Sequence, residues 1–302
     1  MTGLDYRGQY RVELETALDA GRKASATILE FYNDRSASTY VKGDGSPVTD
    51  ADLESDRVIR ETIAAVFASD ALLTEEGAQD NERLRNRRCW IVDPIDGTAQ
   101  YVARTGQFDV LIALCVDGRP VVVVAAQPVA NRMQAAVGGV GAWELDGDDA
   151  TPFTIEPPAH PPRLVTSKWY GARDDWRGEA VSRVAARIGA APPPVLDVGY
   201  QSRRFSSNER TFDAFIGLPP VSRSSIAQEW DLACVDLITH EAGGVFTDCW
   251  GRLHRFNKRS TSISGGILAS ASADLHRELL EAIAPELPDA MPAPDPADDG
   301  VG

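Results

Sequence analysis

Residues 90–98 read Trp90-Ile91-Val92-Asp93-Pro94-Ile95-Asp96-Gly97-Thr98. Cys89 to Val92 is a short apolar run that predicts a buried strand ending at Asp93. The strand delivers two acids spaced i and i+3, with proline between them and Gly-Thr behind. Proline stiffens the turn, and glycine lets the backbone come close to a ligand. Two carboxylates at a strand end are a costly cluster of like charge. Hard cations such as Mg²⁺ relieve that cost and prefer oxygen ligands. If a helix starts at Gly97-Thr98, its free N–H groups face the same spot and can hold a phosphate. The structural alternative is an Asx-turn followed by an N-cap.

Three further stretches extend the pattern. Upstream, the short strand Ala71-Leu72-Leu73 delivers Thr74-Glu75-Glu76; the alternative is a solvated helix start, where acids suit the dipole. Earlier still lies Lys42-Gly43-Asp44-Gly45-Ser46-Pro47-Val48-Thr49-Asp50-Ala51-Asp52, otherwise a loop before a capped helix. Downstream, Glu229-Trp230-Asp231-Leu232-Ala233 leads to Glu241-Ala242-Gly243-Gly244. Asp231 sits at a predicted helix start, where an ordinary N-cap is the alternative.

Between these stretches helices and strands alternate. Helices are predicted at 10–32, from near Asp50 to Ala68, near 177–188, around 231–242 and at 273–284. Strands are predicted at 109–117 and 121–127, joined by an Asp117-Gly118 hairpin turn, and the sheet continues from Asn131 to Trp143. Gly138-Gly139-Val140-Gly141 lacks the spacing of a nucleotide loop and reads as a sheet turn. Further strands are predicted at 164–166, 195–198, 244–247 and 266–270. The proline-rich stretch 147–162 separates an N-terminal half, 1–146, from a C-terminal half, 147–284. Residues 285–302, rich in Pro, Asp and Ala, read as a disordered tail. Helices and strands alternating in two halves give a mixed α/β fold.

The 302 residues carry a formal net charge of −15. Such a chain repels nucleic acid and anionic membrane surfaces, so neither a nucleic acid polymer nor a membrane is an expected partner. It also repels a phosphate ester, so a site for one needs bound cations. Cys89, Cys115, Cys234 and Cys249 form no C-x-x-C pair, and residues 1–10 hold no apolar leader. These features lead us to expect a reduced, cytoplasmic protein. The four histidines are scattered without metal-type spacing, and no C-x₅-R loop is present. Attack by water is therefore expected rather than by a side chain.

Taken together, the Asp-Pro-Ile-Asp-Gly-Thr run, the preceding Glu-Glu, the Lys-x-Asp-x-Ser-Pro-Val-Thr-x-Ala-Asp segment and the Trp-Asp with its Glu-Ala-Gly-Gly resemble the inositol monophosphatase superfamily over roughly residues 10–284. That group includes 3′(2′),5′-bisphosphate nucleotidases and histidinol-phosphatases. The resemblance implies a layered αβαβα sandwich of the sugar-phosphatase type. It implies hydrolysis of a small phosphorylated metabolite by water, with two or three Mg²⁺ ions, Li⁺ inhibition and a homodimer. Glu75, Asp93, the Ile95 carbonyl, Asp96 and Asp231 would ligate metal. Thr98 and Asp52 would polarise the attacking water, and Glu76 would support them. The Gly97 and Thr98 amides and Lys42 would meet the phosphate. One region departs from the pattern. Where family members carry Gly-Ser and small residues, this chain has Asp197-Val198-Gly199-Tyr200-Gln201-Ser202-Arg203-Arg204-Phe205. Arg203 and Arg204 can grip a second phosphate or stand in a solvated loop. The expected order of substrates is inositol or sugar phosphate, then bisphosphate nucleotide, then histidinol phosphate. A binding protein without turnover and a structural module are the rival classes.

Overall fold

The computed structural model describes residues 4, 6–43, 45–77, 80–147, 149–168, 176–205, 210–219 and 226–287. The fold is mixed α/β. The chain divides into two compact units, Met1–Phe153 with Trp230–Ile238, and Thr154–Glu229 with Thr239–Gly302.

In the first unit, α1 (Arg11–Asp34) carries Leu14, Ala17, Leu18, Ala24 and Ile28 on one buried stripe. A small hairpin of β1 (Thr39–Val41) and β2 (Pro47–Thr49) leads into α2 (Asp50–Ala64). Next come β3 (Ala71–Thr74), β4 (Arg88–Asp96) and the one-turn helix α3 (Thr98–Val102). Five strands complete the unit: β5 (Asp109–Val116), β6 (Arg119–Gln127), β7 (Arg132–Val137), β8 (Gly141–Asp146) and β9 (Asp149–Phe153). They form one seven-stranded sheet in the order β3-β4-β5-β6-β7-β8-β9. Only the β3–β4 pair is parallel.

Helices α1 and α2 pack Leu14, Leu18, Ile59 and Ile63 with Trp90, Val92, Ile112, Leu114, Val122 and Val124 of the sheet. The intervening residues Ile91, Leu111, Ala113, Cys115 and Val123 are buried as well. Burial on both faces explains why β5 and β6 read as nearly continuous apolar runs rather than as alternation. The segment Trp230–Ile238 packs on the same sheet. The Cys234 thiol meets the backbone of Ile112 and Val124, and Leu237 lies against Gly138.

The expected Asp117-Gly118 turn is present, with both residues at positive φ (52° and 78°), as a two-residue hairpin of strongly twisted strands requires. The stretch 131–143 resolves into β7 and β8 around the Gly138–Val140 turn. The 147–162 connection contains a strand the sequence does not announce, β9. Only Phe153 of β9 is buried. Pro152, which has no N–H for a ladder bond, is tolerated there because β9 is an edge strand.

The second unit holds β10 (Leu164–Ser167), α4 (Trp176–Arg187), β11 (Val195–Leu196), β12 (Ala214–Gly217), β13 (Ala227–Gln228), α5 (Glu229–Glu241, whose middle belongs to the first unit), β14 (Val245–Thr247), β15 (Ser262–Ile263), β16 (Ile267–Ser270) and α6 (Ala273–Ile283). Its main sheet runs β11-β10-β12-β16-β14. The β11-β10-β12 pairs are parallel and the β12-β16-β14 pairs antiparallel. Helices α4 and α6 bury Val181, Val184, Leu275, Leu279 and Ile283 with Leu164, Ala214, Ile216 and Leu268. Tyr200 stacks with Phe205, Phe215 and Phe246 in an aromatic cluster.

Two expectations are corrected here. The strand at 195–198 stops at Leu196. Disorder does not begin at Pro285, because Ala284–Glu286 forms a 3-10 turn and Glu286 pairs with Arg183 at 2.7 Å and Arg187 at 2.5 Å. The remainder of the expected tail, 288–302, lies outside the described residues. Among the described residues no helix is long and apolar enough to cross a membrane.

Candidate active site

Asp93 and Asp96 both come from the end of β4. In a regular strand, residues i and i+3 point to opposite faces. Here the pairing steps from Asp93↔Leu111 to Asp96↔Asp109, so three steps on β4 match two on β5. This bulge resets the parity and turns both carboxylates to one side. Pro94, which cannot donate to a ladder, sits inside the bulge. The Ile95 N–H donates to Asp93 Oδ1 at 3.0 Å, and Ser55 Oγ donates to the Pro94 carbonyl at 3.1 Å. The Asx-turn considered as an alternative is therefore present, as part of the device that aims the acids.

Asp231 reaches the same place from some 135 residues further along the chain. Helix α5 begins at Glu229, so Asp231 lies within the first turn rather than at the N-cap. Asp93, Asp96 and Asp231 each place a carboxylate oxygen within 4.8 Å of the others. Glu75 follows β3, and its N–H donates to the Val92 carbonyl at 3.2 Å, which extends the parallel pairing by one residue. That step sets Glu75 beside Asp93. Burial, then the charges of Glu75, Asp96 and Asp231, push the Asp93 carboxyl well above the usual carboxylate range. The donors are all oxygen and the local charge is strongly negative, a set that fits a hard divalent cation.

Beside this cluster stands a second, dry constellation. Asp52 is the third residue of α2 and closes a capping box. The Thr49 N–H and Oγ1 both donate to Asp52 Oδ2, at 2.8 and 2.5 Å. The other oxygen, Oδ1, accepts from Thr98 Oγ1 at 2.9 Å. Thr98 Oγ1 is also 3.3 Å from the Ile95 carbonyl. Asp52 is 1% exposed. Burial raises its pKa, and the bonds from Thr49 and Thr98 offset part of the rise. A hydroxyl whose proton is committed to a carboxylate leaves its lone pairs free to accept from water. The Thr-x-x-Asp spacing of Thr49 and Asp52 was the signal for this arrangement. Sequence reading weighed capping as the alternative for that stretch and paired Asp52 with Thr98 by resemblance, but did not single out Thr49 or Ser55.

Gly97 joins β4 to α3 with φ +96° and ψ 42°. A Cβ there would stand 3.2 Å from the Gln107 carbonyl oxygen. Glycine is required by both the dihedral and the space.

Lys42, on the β1–β2 hairpin, is engaged by both expected acids. Its Nζ is 2.7 Å from Glu75 and 2.6 Å from Glu76. Burial works against the ammonium charge, but the two carboxylates outweigh it and hold the pKa above the ordinary lysine range. Glu76 is raised by burial, with Lys42 opposing the shift. Asp44 lies outside the described residues. Arg203 and Arg204 belong to the second unit, on the turn Ser202–Phe205. Arg203 is buried, so a solvated loop does not describe it, and Arg204 Nε donates to Gln201 Oε1 at 2.9 Å. His240, expected to be structural, meets the Phe246 carbonyl at 3.0 Å. The four cysteines are buried, and none is in a disulfide.

A family model described as the inositol monophosphatase family matches residues 10–291. Among curated relatives, a histidinol-phosphatase from Chlorobaculum parvum is 31% identical over 271 residues, spanning 90% of this chain and 96% of that protein. A 3′(2′),5′-bisphosphate nucleotidase CysQ from Aggregatibacter actinomycetemcomitans is 26% identical, spanning 86% and 93%. Among solved structures, the extragenic suppressor protein SuhB of Bartonella henselae superposes with a TM-score of 0.70 at 20% identity. It covers 91% of this chain and 100% of its own, a likeness of fold.

Proposed function

The chain belongs to the inositol monophosphatase family, whose members are phosphatases, and we propose that it is a Mg²⁺-dependent hydrolase of a phosphate monoester on a small soluble metabolite. One observation carries the reading: Asp93, Asp96 and Asp231 converge from distant parts of the chain beside the buried Thr98–Asp52 pair.

Glu75, Asp93, the Ile95 carbonyl, Asp96 and Asp231 would hold two or three Mg²⁺ ions. When bound, the cation supplies charge neutralisation of the ester and a lowered pKa for water in the site. The chain's own residues do the rest. Asp52 takes the Thr98 proton in a hydrogen bond, so Thr98 Oγ1 is left to accept from the attacking water and orient it in line with the phosphorus. The Gly97 and Thr98 amides would hold the phosphoryl oxygens. Glu76 and Lys42 hold Glu75 in place, and any contact from Lys42 to substrate competes with its two ion pairs.

Inositol or a related sugar phosphate is the first substrate class. Histidinol phosphate is the second reading, supported by the 31% identity to a histidinol-phosphatase. A bisphosphate nucleotide is the third, supported by the 26% identity to a CysQ nucleotidase. Li⁺ sensitivity and a homodimer rest on the family resemblance, and a cytoplasmic location on the cysteine pattern and the polar residues 1–10. The test is phosphate release from inositol 1-phosphate, histidinol phosphate, 3′-phosphoadenosine 5′-phosphate and fructose 1,6-bisphosphate, with Mg²⁺ and with EDTA. We expect Mg²⁺-dependent turnover of one of them. Silence on all four with Mg²⁺ bound would favour a binding protein without turnover.

A further inference from the structure

The segment Trp230–Ile238 carries one cluster acid, Asp231, and a second acid with a different environment, Asp236. Asp236 is fully buried and held by a forked guanidinium. Arg119 Nη2 donates to Oδ1 at 2.7 Å, and Nη1 donates to Oδ2 at 3.2 Å. Arg119 is the first residue of β6, at the hairpin end of the β5–β6 pair, whereas Asp96 and Asp109 face each other at the opposite end of β5. The helix runs between these two ends. Asp231 meets Asp93 and Asp96, Cys234 meets Ile112 and Val124, and Leu237 lies against Gly138.

Between the two ends the contacts are mostly apolar, with the Cys234 thiol on the Ile112 and Val124 backbone as one polar touch. Leu232, Ala233, Cys234, Val235 and Leu237 are buried, and the hydrophobic attraction they supply is non-directional, so packing shape alone selects a rotation and axial position where a forked ion pair would select one by charge. The Asp231 end is itself a site of mutual repulsion before a cation arrives. Burying Asp236 costs desolvation that apolar residues of similar volume would avoid, and registry is the best-attested use of such a buried polar group. The planar fork of arginine satisfies both carboxylate oxygens in one orientation only.

We propose that Arg119 and Asp236 are positioning residues: their ion pair sets the register of α5, so that Asp231 stands ready to share a divalent cation with Asp93 and Asp96. This rests on the metal site proposed above, and the experiment separates the two. Arg119→Met with Asp236→Leu removes the pair while leaving no orphaned charge. Metal-free thermal stability, Mg²⁺ affinity by calorimetry and amide hydrogen exchange of α5 in EDTA are measured on the whole chain.

We expect the double variant to stay folded, to bind Mg²⁺ about tenfold more weakly, a loss usual for outer residues that orient ligands, and to exchange the 230–238 amides faster without metal. A folded double variant with unchanged Mg²⁺ affinity and unchanged exchange overturns the proposal. If the double variant fails to fold, Arg119→Lys keeps the charge and loses the fork. Wild-type affinity and exchange in that variant overturn the proposal equally. Wild-type protein that shows no Mg²⁺ binding defeats the metal reading, and the exchange data then decide the role of the pair alone.

Discussion

Replacing Asp93 by Asn tests the electrostatics of the cluster without using turnover as the only readout. The change keeps shape and removes one charge. Two unit charges 4.8 Å apart repel by about 3–4 kcal/mol at an effective dielectric near 20 and by about 1 kcal/mol in water. Asp93 is buried while Asp96 and Asp231 are partly exposed, so solvent screening keeps each repulsion toward the lower figure. Relieving both should stabilise the metal-free protein by about 2 kcal/mol, or roughly 3 °C in melting temperature for a chain of 302 residues. The wild-type protein should gain about 2–3 kcal/mol from Mg²⁺ at a hundredfold excess over its dissociation constant. In Asp93→Asn that gain should largely vanish, and activity should fall by at least about a thousandfold. Melting curves in EDTA and in saturating Mg²⁺ read both effects. A variant that melts lower than wild type in EDTA, yet shows the full Mg²⁺ shift, would refute the claim that these carboxylates share a cation.

Thr98→Val should lower kcat by about a hundredfold or more with KM and the Mg²⁺ melting shift little changed, because it removes the hydroxyl that orients water and no metal-ligand side chain; steady-state kinetics decide. Gly97→Ala should destabilise the protein by about 1–2 kcal/mol in urea unfolding, since alanine at φ +96° is strained and its Cβ presses on the Gln107 carbonyl. His276, between Thr247 Oγ1 and Ser270 Oγ at 2.8 Å each, is held by burial and then by His240 at a pKa of about 4, against an ordinary 6.5. The unfolded chain therefore binds a proton that the folded chain refuses between these values. Stability falls as pH drops from 6.5 toward 4, by up to about 3 kcal/mol. His276→Asn should be less stable than wild type at pH 7.5 and should lose that part of the acid-side decline.

How much of this was legible follows from where the signals lie. Strands β5 and β6 were plain because unbroken apolar runs flank a turn that tolerates positive φ. Strand β9 was not, because it is polar, holds Pro152 and exists only by pairing with β8. Strand β12, Ala214–Gly217, was passed over too: four residues before Leu218-Pro219-Pro220 carry no period, and only β10 and β16 on either side make them a strand. At the site, Lys42 looked like a hand for the phosphate, but the structure shows it gripping Glu75 and Glu76. The resemblance paired Asp52 with Thr98, but that Thr49 holds the other Asp52 oxygen was not legible.

By itself the sequence determined which residue types end each strand and begin each helix, and so which carboxylates were available for a cation. Those are local matters of propensity, turn chemistry and charge. Only the tertiary structure decided that Asp93 and Asp96 share a side, that Glu75 adjoins them and that Asp231 arrives from α5. Each depends on a bulge, a parallel register or a helix docking that forms between segments far apart in the chain. The free energy of such long-range packing leaves no periodic trace in any one segment.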